Sequence, residues 1–248
     1  MVNIISIKGL SKSYGKRRVL NKIDLEIKKG EFVAIFGPNG AGKTTLLKTI
    51  STIIEPTNGN VVVNGIDCST NPAGIRQVIG AISHETYLYE ELTARENMVF
   101  FSQMYGMKRK DIHDRVDELL KNVSLFQRAD DRVGSFSRGM KQRLSIARAM
   151  LHEPGILLMD EPYTGLDQHA AENFEKVLIS TGTLGITRIM ITHNIERAFK
   201  VCDRMLIMDR GYISFDMLKK DIPSSVHFRE TYISIVKNDT DAEGTNSL

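Results

Sequence analysis

Tryptophan is absent from this 248-residue chain, and cysteine and proline are scarce, with two and six residues respectively. Cys68 and Cys202 lie far apart and neither belongs to a CxxC pair, so the sequence indicates neither a disulfide framework nor a cysteine metal site. The first residues lack the basic and then apolar pattern of a signal peptide, and no apolar run reaches the roughly 18 residues that span a bilayer. These absences predict a protein of a reducing compartment that meets a membrane only by docking onto another molecule.

The chain also lacks a large excess of either positive or negative charge. The chain has 33 Lys and Arg against 30 Asp and Glu, a net charge of +3. Without a long basic run, the bulk charge requires neither a nucleic acid nor an anionic membrane as partner. The 42% of hydrophobic residues allow one sizeable core, alone or with a smaller subdomain, and no internal repeat divides it.

One stretch is locally basic. FSRGMKQRLSIAR, from Phe136 to Arg148, also contains Arg138, Lys141 and Arg143. On a helix its apolar residues form one narrow stripe, and the four basic residues share no common face. Because a nucleic-acid footprint would gather the basic residues on one side, nucleic acid is a minor alternative for this stretch.

Hydrophobic periodicity gives a coarse order of elements. Alternating and continuous apolar runs predict strands within residues 4–35 and at 61–65, whereas a period of 3.6 predicts helices between about 93 and 151. From residue 156 to 215 strands and helices alternate, which indicates a parallel sheet. The segment SVHFRETYISIV predicts a last amphipathic helix, and the polar, acidic NDTDAEGTNSL predicts a disordered end.

A phosphate-binding motif follows the buried strand FVAIF. The sequence GPNGAGKTT fits G-x-x-x-x-G-K-[ST], in which small residues let backbone N–H groups converge on phosphates and the helix behind adds its positive end. The lysine supplies a charge to the outer phosphates and the next hydroxyl can ligate Mg²⁺. The predicted nucleotide-binding residues are Gly37, Pro38, Asn39, Gly40, Ala41, Gly42, Lys43, Thr44 and Thr45, with Thr44 also a metal ligand.

Two acidic residues end the apolar run ILLM. Asp160 is suited to hold Mg²⁺ and Glu161 to orient or deprotonate a water, because the ends of parallel strands are where such sheets bind ligands. A second short pattern, NKID at 21–24, matches the guanine-specifying N-K-x-D of GTPases. It precedes the phosphate loop instead of following it, and we interpret it as a chance match.

In order and spacing, these motifs resemble the nucleotide-binding subunit of an ABC transporter, from about residue 5 to residue 215. GPNGAGKTT is similar to the Walker A motif of that family and ILLMDE to its Walker B motif. The resemblance implies that Tyr14 in KSYG stacks on adenine, that Asp167 in YTGLD belongs to the D-loop, and that His193 in ITHN contacts the γ-phosphate. FSRGMKQR falls where the family has its LSGGQ signature, and Ser137 and Gly139 are retained there to touch the γ-phosphate of ATP held by a second subunit.

The sequence departs from the family pattern in two places. His84 stands where the family has a glutamine, and by resemblance we assign it a catalytic and Mg²⁺-binding role that becomes sensitive to acid, because imidazole titrates near pH 6.5. In the signature, Phe136 replaces Leu, Arg138 replaces the first Gly and Met140 replaces Gln. Arg138 then either adds a charge at the phosphate or points into solvent.

The resemblance implies an α/β fold: a P-loop NTPase (RecA-like) core with an N-terminal antiparallel β layer and an inserted helical subdomain. The expected boundaries are one ATPase domain at 1–217, with core segments 1–85 and 154–217 and the helical subdomain at 86–153. A helical extension at 218–237 and a disordered tail at 238–248 would follow.

The implied function is an ATPase subunit that binds ATP and Mg²⁺ and dimerises around two ATP with a second copy of itself or a homologous subunit. It would drive separate polytopic membrane subunits from the cytoplasmic side of the cell membrane, and the variant signature favours export. The alternatives are a soluble ABC ATPase of DNA repair or translation, whose long coiled coils or tandem domains are missing, and a small-substrate kinase, which would leave the signature unexplained.

Overall fold

The computed structural model describes residues 2–83 and 85–243, with side chains as far as Lys237. It divides into two compact units, Met1–Ile75 with Thr187–Leu248, and Arg76–Ile186. The helical subdomain expected at 86–153 lies inside the second unit, whose bounds are wider, so the expected boundaries stay a prediction.

Within the described residues the strands are β1 (Asn3–Tyr14), β2 (Arg17–Lys28), β3 (Phe32–Phe36), β4 (Asn58–Val63), β5 (Ile66–Asp67), β6 (Ile79–Ile82), β7 (Ile156–Asp160), β8 (Thr187–Ile191), β9 (Arg204–Asp209) and β10 (Tyr212–Leu218). The α-helices are α1 (Lys43–Ile50), α2 (Pro72–Val78), α3 (Ala94–Met104), α4 (Arg109–Asn122), α5 (Arg138–Ala149), α6 (Gln168–Thr183), α7 (Ile195–Val201) and α8 (Ser225–Glu243). None of these described helices combines the length and the apolar character that crossing a membrane requires.

The first unit contains the predicted antiparallel layer. Its strands pair in the order β2-β1-β4-β5. The alternating residues Ile23, Leu25 and Ile27 of β2 are all buried, as the period of two predicts. Asn64 and Gly65 have positive φ values of 51° and 76° in the tight turn between β4 and β5, which only residues tolerant of the left-handed region adopt easily. The β layer is therefore confirmed.

The same unit holds the parallel strands that carry the phosphate loop. All five residues of β3 are buried, and β3 lies between β8 and β9 and runs parallel to both. Because Ile35 is paired with Ile191, the chain leaves β3 and β8 at the same edge of the sheet. β10 pairs antiparallel with β9. The α/β class and the P-loop topology are confirmed.

In the second unit β6 and β7 pair in parallel, with Ile82 opposite Met159. The predicted helical block consists of α3, α4 and α5. Thr93 begins α3 in a capping box with Glu96, which satisfies backbone donors at both ends of the motif. The expected apolar face of α4 is buried, with Val116 and Leu120 both at 0% exposure.

The last helix, α8, belongs to the first unit. Its Phe228 is fully buried, with ring centroids 5.0 Å from Phe36 and 5.6 Å from Phe215. The helix runs to Glu243, six residues beyond the expected end of the extension at 237. The remainder of the expected disordered tail, residues 244–248, lies outside the described residues.

Candidate functional site: a phosphate loop and a second acidic and signature region

Two glycines of the phosphate loop are required by close backbone contacts. Gly37 has φ 149°, and a Cβ there would lie 2.1 Å from the carbonyl oxygen of Met208 in β9. Gly42 has φ 98°, and a Cβ there would lie 2.7 Å from the carbonyl oxygen of Val19 in β2. The turn after β9 also contacts the loop, because the N–H of Gly211 donates to the carbonyl of Ala41 at 3.1 Å. The loop is held between strands β2 and β9 of its own unit.

Lys43 is the first residue of α1 and is only 8% exposed. Its Nζ donates to the carbonyl oxygens of Gly37 and Pro38 at 2.7 and 2.8 Å, which fixes the ammonium group at the loop. Thr44 is exposed beside it. A pocket forms here, lined by Arg17, Val19, Asn39, Gly40, Gly42, Lys43, Thr44 and Thr45. A helix N-terminus and an ammonium group beside one pocket are the features with which phosphate loops bind nucleotides.

The β1–β2 hairpin borders this pocket. Tyr14 is 49% exposed, and Lys12 places its Nζ 5.2 Å from the centre of the tyrosine ring. Tyr14 is the cross-strand partner of Arg17, and Arg17 lines the pocket with a terminal nitrogen 3.8 Å from the Cβ position of Gly40. The exposed ring therefore stands at the pocket end of the hairpin, although Tyr14 is not itself among the lining residues.

His193 follows β8 in the same unit. The side chain is exposed, and the next residue, Asn194, caps α7 by accepting from the N–H of Arg197 at 3.0 Å. The N–H of Thr192 donates to the carbonyl of Ile35 at 3.3 Å. His193 and the phosphate loop therefore leave adjacent parallel strands at one edge of the sheet, the edge at which such sheets bind ligands.

The two acidic residues lie in the second unit. Asp160 is the last residue of β7 and Glu161 the first after it, and both side chains are half-buried. Glu161 has φ 52°, a left-handed conformation that costs a non-glycine residue free energy and that concentrates at functional sites. The next carbonyl, of Pro162, accepts from Nε2 of the buried Gln142 in α5 at 3.1 Å. β6 ends two residues before His84, which lies outside the described residues.

Ser137 and Gly139 lie at the start of α5. Ser137 is the N-cap, and its Oγ accepts from the N–H of Met140 at 3.3 Å. The serine is exposed, and Gly139 in the first turn of the helix is half-exposed. Such a helix start can accept an anion from another molecule.

The D-loop segment lies against this helix start. A Cβ at Gly139 would be 3.5 Å from the carbonyl oxygen of Gly165, which has φ 83°. Asp167 is the N-cap of α6, where its Oδ1 accepts from the N–H of Ala170 at 2.7 Å. Asp167 therefore has a structural contact in addition to the role that the resemblance implies.

Three of the four basic residues of the 136–148 stretch contact other parts of the second unit. Lys141 donates to Glu90 at 2.5 Å, and Arg143 donates to the carbonyl of Val123 at 3.0 Å. Arg148 is 8% exposed, and burial lowers the pKa of its guanidinium from the ordinary value. The alternative of a nucleic-acid patch is wrong for this stretch, because these side chains form internal contacts. Leu144, Ala147 and Leu151 of the predicted apolar stripe are buried, and the buried surface is wider than the stripe, because every residue from Leu144 to Leu151 is buried.

Each unit therefore gathers its own predicted residues. The first brings together the phosphate loop, His193 and the Tyr14 hairpin, and the second brings Ser137 and Gly139 against the segment that follows Asp160 and Glu161. Arg17 was not predicted. It belongs to the run KRR just after the hairpin turn, which is typical of a solvated surface, and only its pairing with Tyr14 would have indicated the pocket.

The loop between β3 and α1 defines the class: this is a P-loop nucleotide-binding protein. Residues 20–164, more than half of the chain, match the protein family described as ABC transporter. The chain belongs to that family.

Three relatives illustrate the match. The linearmycin resistance ATP-binding protein LnrL of Bacillus subtilis (strain 168) is 35% identical over 221 residues, covering 89% of this chain and 71% of LnrL. The Nod factor export ATP-binding protein I of Rhizobium sp. (strain N33) is 36% identical over 207 residues, 84% of this chain and 68% of that protein. A solved dimer of the ATP-binding cassette MJ0796, in a post-hydrolysis state with ADP and Pi, has a TM-score of 0.81 at 30% identity and covers 87% of this chain and 98% of its own.

The family membership confirms the predicted activity. The protein is the ATP-binding, ATP-hydrolysing subunit of an ABC transporter, and the alternative of a DNA-repair or translation ATPase is not supported. In general terms it dimerises with an ATPase subunit and works with a membrane transporter.

Proposed function

We propose that this protein closes as a dimer around two ATP molecules and that this closure drives export through separate polytopic membrane subunits. The observation that carries the proposal is the exposed start of α5, where Ser137 is the exposed N-cap and Gly139 lies half-exposed in the first turn. An anion-binding helix start that faces solvent fits a phosphate brought by a partner. Each ATP would then lie between the phosphate loop of one subunit and the signature of the other.

The residues of the first unit would hold ATP. Tyr14 stacks on adenine, and Arg17 adds a positive charge at the rim of the pocket. Lys43 neutralises the outer phosphates, and His193 donates a hydrogen bond to the γ-phosphate as charge develops there. The other phosphate contacts come from Gly37, Pro38, Asn39, Gly40, Ala41, Gly42, Thr44 and Thr45.

The residues of the second unit would carry the chemistry. Glu161 accepts a proton from the attacking water, a bond forms from that water oxygen to the γ-phosphorus, and the bond to the ADP oxygen breaks. Ser137 and Gly139 bind the γ-phosphate of the partner's ATP, and Asp167 lies beside them at the dimer surface.

Each proposed protein oxygen ligand is, taken by itself, of a kind that Mg²⁺ accepts. Thr44 offers an exposed hydroxyl in the pocket, and Asp160 offers a carboxylate at a strand end. These are hard oxygen donors, and Mg²⁺ commonly takes one or two protein oxygens together with substrate phosphates. When bound, Mg²⁺ would neutralise phosphate charge. His84 would add a nitrogen donor.

Export from the cytoplasmic face of the cell membrane is the direction that we propose. A relative named for Nod factor export supports it. The exposed aromatic side chains Tyr87 and Tyr89 belong to the segment 87–96, where we expect the membrane subunit to bind. The second ATPase subunit would be another copy of this chain or a homologue.

Mixing two inactive variants tests the shared site. Lys43→Ala damages the phosphate loop and Ser137→Arg the signature, so each homodimer has two damaged sites. Mixed at equal amounts, they should regain roughly a quarter of the wild-type ATPase rate, because half of randomly formed dimers are mixed and each mixed dimer has one intact site of two. The measurement is phosphate release across mixing ratios.

The matched control is a mixture of Lys43→Ala with Glu161→Gln. Both variants damage the half of the site that we assign to one subunit, so no mixed dimer contains an intact site and no activity should return. If the Lys43 and Ser137 variants also fail to complement at every ratio, the two-subunit site is wrong.

The assignment of His84 predicts an acid-sensitive ATPase. Protonation below about pH 6.5 removes the imidazole lone pair, so wild-type turnover should fall steeply there. His84→Gln, which cannot titrate, should be flatter between about pH 5.5 and 8. His113→Gln, at an exposed histidine of α4, is the control and should keep the wild-type profile. Identical profiles for wild type and His84→Gln would remove this role.

A further inference from the structure

Arg138, the residue that replaces a family glycine, contacts the D-loop segment. A Cβ built on Gly165 would lie 2.6, 2.7 and 2.8 Å from Nε, Cδ and Cγ of Arg138. These distances show that the arginine stem occupies the space beside the α-carbon of Gly165. Arg138 is an exposed residue, so part of its side chain reaches solvent, as one of the two alternatives expected from the sequence has it, while its stem also packs on the D-loop segment.

The contact is formed by successive residues. Beside Arg138, the Cβ position of Gly139 is 3.5 Å from the carbonyl oxygen of Gly165. The first turn of α5 thus covers Gly165 from two directions, and both segments belong to the same compact unit. A glycine at 138 would leave one of these contacts unmade.

The covered segment begins at a residue with an unfavourable backbone conformation. Glu161 has φ 52°, whereas the φ of 83° at Gly165 is one that glycine adopts readily. The segment is held at its end by Asp167, which caps α6, and at Tyr163, whose ring lies 5.4 Å from that of Phe174. Between these anchors, the stem of Arg138 is a contact that restricts movement of the turn. Strained conformations persist only where surrounding groups determine them.

We propose that Arg138 is a positioning residue for ATP hydrolysis: its aliphatic stem packs on Gly165 and holds the 161–167 segment, with Glu161 at its start, in a fixed position relative to the signature helix. The role belongs to the stem, and the guanidinium charge is not required for it. The proposal about the ATPase cycle rests on the proposed function, whereas the contact itself can be tested without it.

A matched pair of variants separates stem from charge. Arg138→Met keeps an unbranched stem and loses the charge, whereas Arg138→Ala loses both and remains a good helix former. We expect Arg138→Ala to lower kcat about ten-fold with KM for ATP nearly unchanged, since displacement of a catalytic group by a fraction of an ångström has effects of this order. Arg138→Met should stay within about two-fold of wild type on the same argument.

Amide hydrogen exchange in the isolated subunit without nucleotide gives the second measurement. Arg138→Ala should speed exchange of residues 163–167, and Arg138→Met should leave it unchanged. This result does not depend on dimerisation. If the trans-complementation experiment fails while this difference is seen, the shared site is wrong and the positioning contact stands.

Two results would overturn the proposal. Equal loss of kcat in Arg138→Met and Arg138→Ala would assign the effect to the charge. Wild-type kcat and exchange in Arg138→Ala would remove any positioning role. Gly165→Ala adds an internal check, because it should cost less activity in the Arg138→Ala background, where the side chain that it would meet is gone.

Discussion

Glu161→Gln should reduce ATP turnover by at least about a hundred-fold while ATP binding is retained. The reason is that loss of a general base commonly lowers the reaction rate by a factor of about 100 to 10,000. The amide has the shape of the carboxylate and accepts the same left-handed backbone conformation, φ 52°, so the fold is unchanged. It cannot take a proton from water. ATP should therefore hold the dimer closed.

Two measurements check this result. Phosphate release gives the turnover, and size exclusion with ATP gives the dimer, which should be stable for the variant and transient for wild type. Glu172→Gln, at an exposed carboxylate of α6, is the control and should behave as wild type. A Glu161→Gln variant that hydrolyses ATP at the wild-type rate would remove Glu161 from the catalytic role.

Arg148→Ala should have the largest effect on stability, a loss of about 3 kcal/mol in the free energy of unfolding, because truncation removes a buried, packed side chain and its hydrogen bonds to two backbone carbonyls. Nη1 of Arg148 donates to the carbonyls of Thr86 and Tyr87 at 2.7 and 3.1 Å, and the guanidinium lies 4.9 Å from the ring centre of Phe101. Arg148 is 8% exposed, whereas Tyr87 is itself exposed, so the expected loss comes mainly from the buried arginine side chain.

Urea unfolding followed by circular dichroism measures the loss. Arg148→Lys should be intermediate, because an ammonium keeps the charge but not the planar group that spans two carbonyls. Arg109→Ala, at an exposed arginine of α4, is the control and should change the unfolding free energy by less than about 0.5 kcal/mol. Equal midpoints for Arg148→Ala and Arg109→Ala would contradict the buried-anchor role.

The Arg148 contacts also bear on transport. They fix the chain at residues 86 and 87, which begin the segment where we expect the membrane subunit to bind. A variant that folds but lacks this anchor should hydrolyse ATP without a normal response to its membrane partner.

The local parts of the site were predictable from sequence. The phosphate loop follows its strand and precedes its helix within a dozen residues, so Gly37, Gly42 and Lys43 could be assigned from spacing alone. The D-loop and the signature were identified by resemblance. Their roles in the dimer remain proposals.

Side chains whose surroundings come from distant segments were not predictable. Arg148 has the charge of a surface residue, and its burial depends on carbonyls about sixty positions earlier in the chain. The exposure of Arg138 agrees with one of the two alternatives expected for it, but helix periodicity carries no information about the contact of its stem with Gly165. The place of Arg17 at the pocket could have been predicted only from its cross-strand pairing with Tyr14. In each case the deciding neighbour is far away in sequence, and local patterns do not record it.

The turn between β9 and β10 has a consequence for biosynthesis. Met208 and Gly211 form one side of the phosphate loop, which the ribosome makes about 170 residues earlier, whereas the other side, at Val19, precedes the loop. During translation the loop emerges long before the strand that completes it. The nucleotide pocket is therefore among the last features of the chain to form, and a nascent chain that stops before this turn makes the motif but not the pocket.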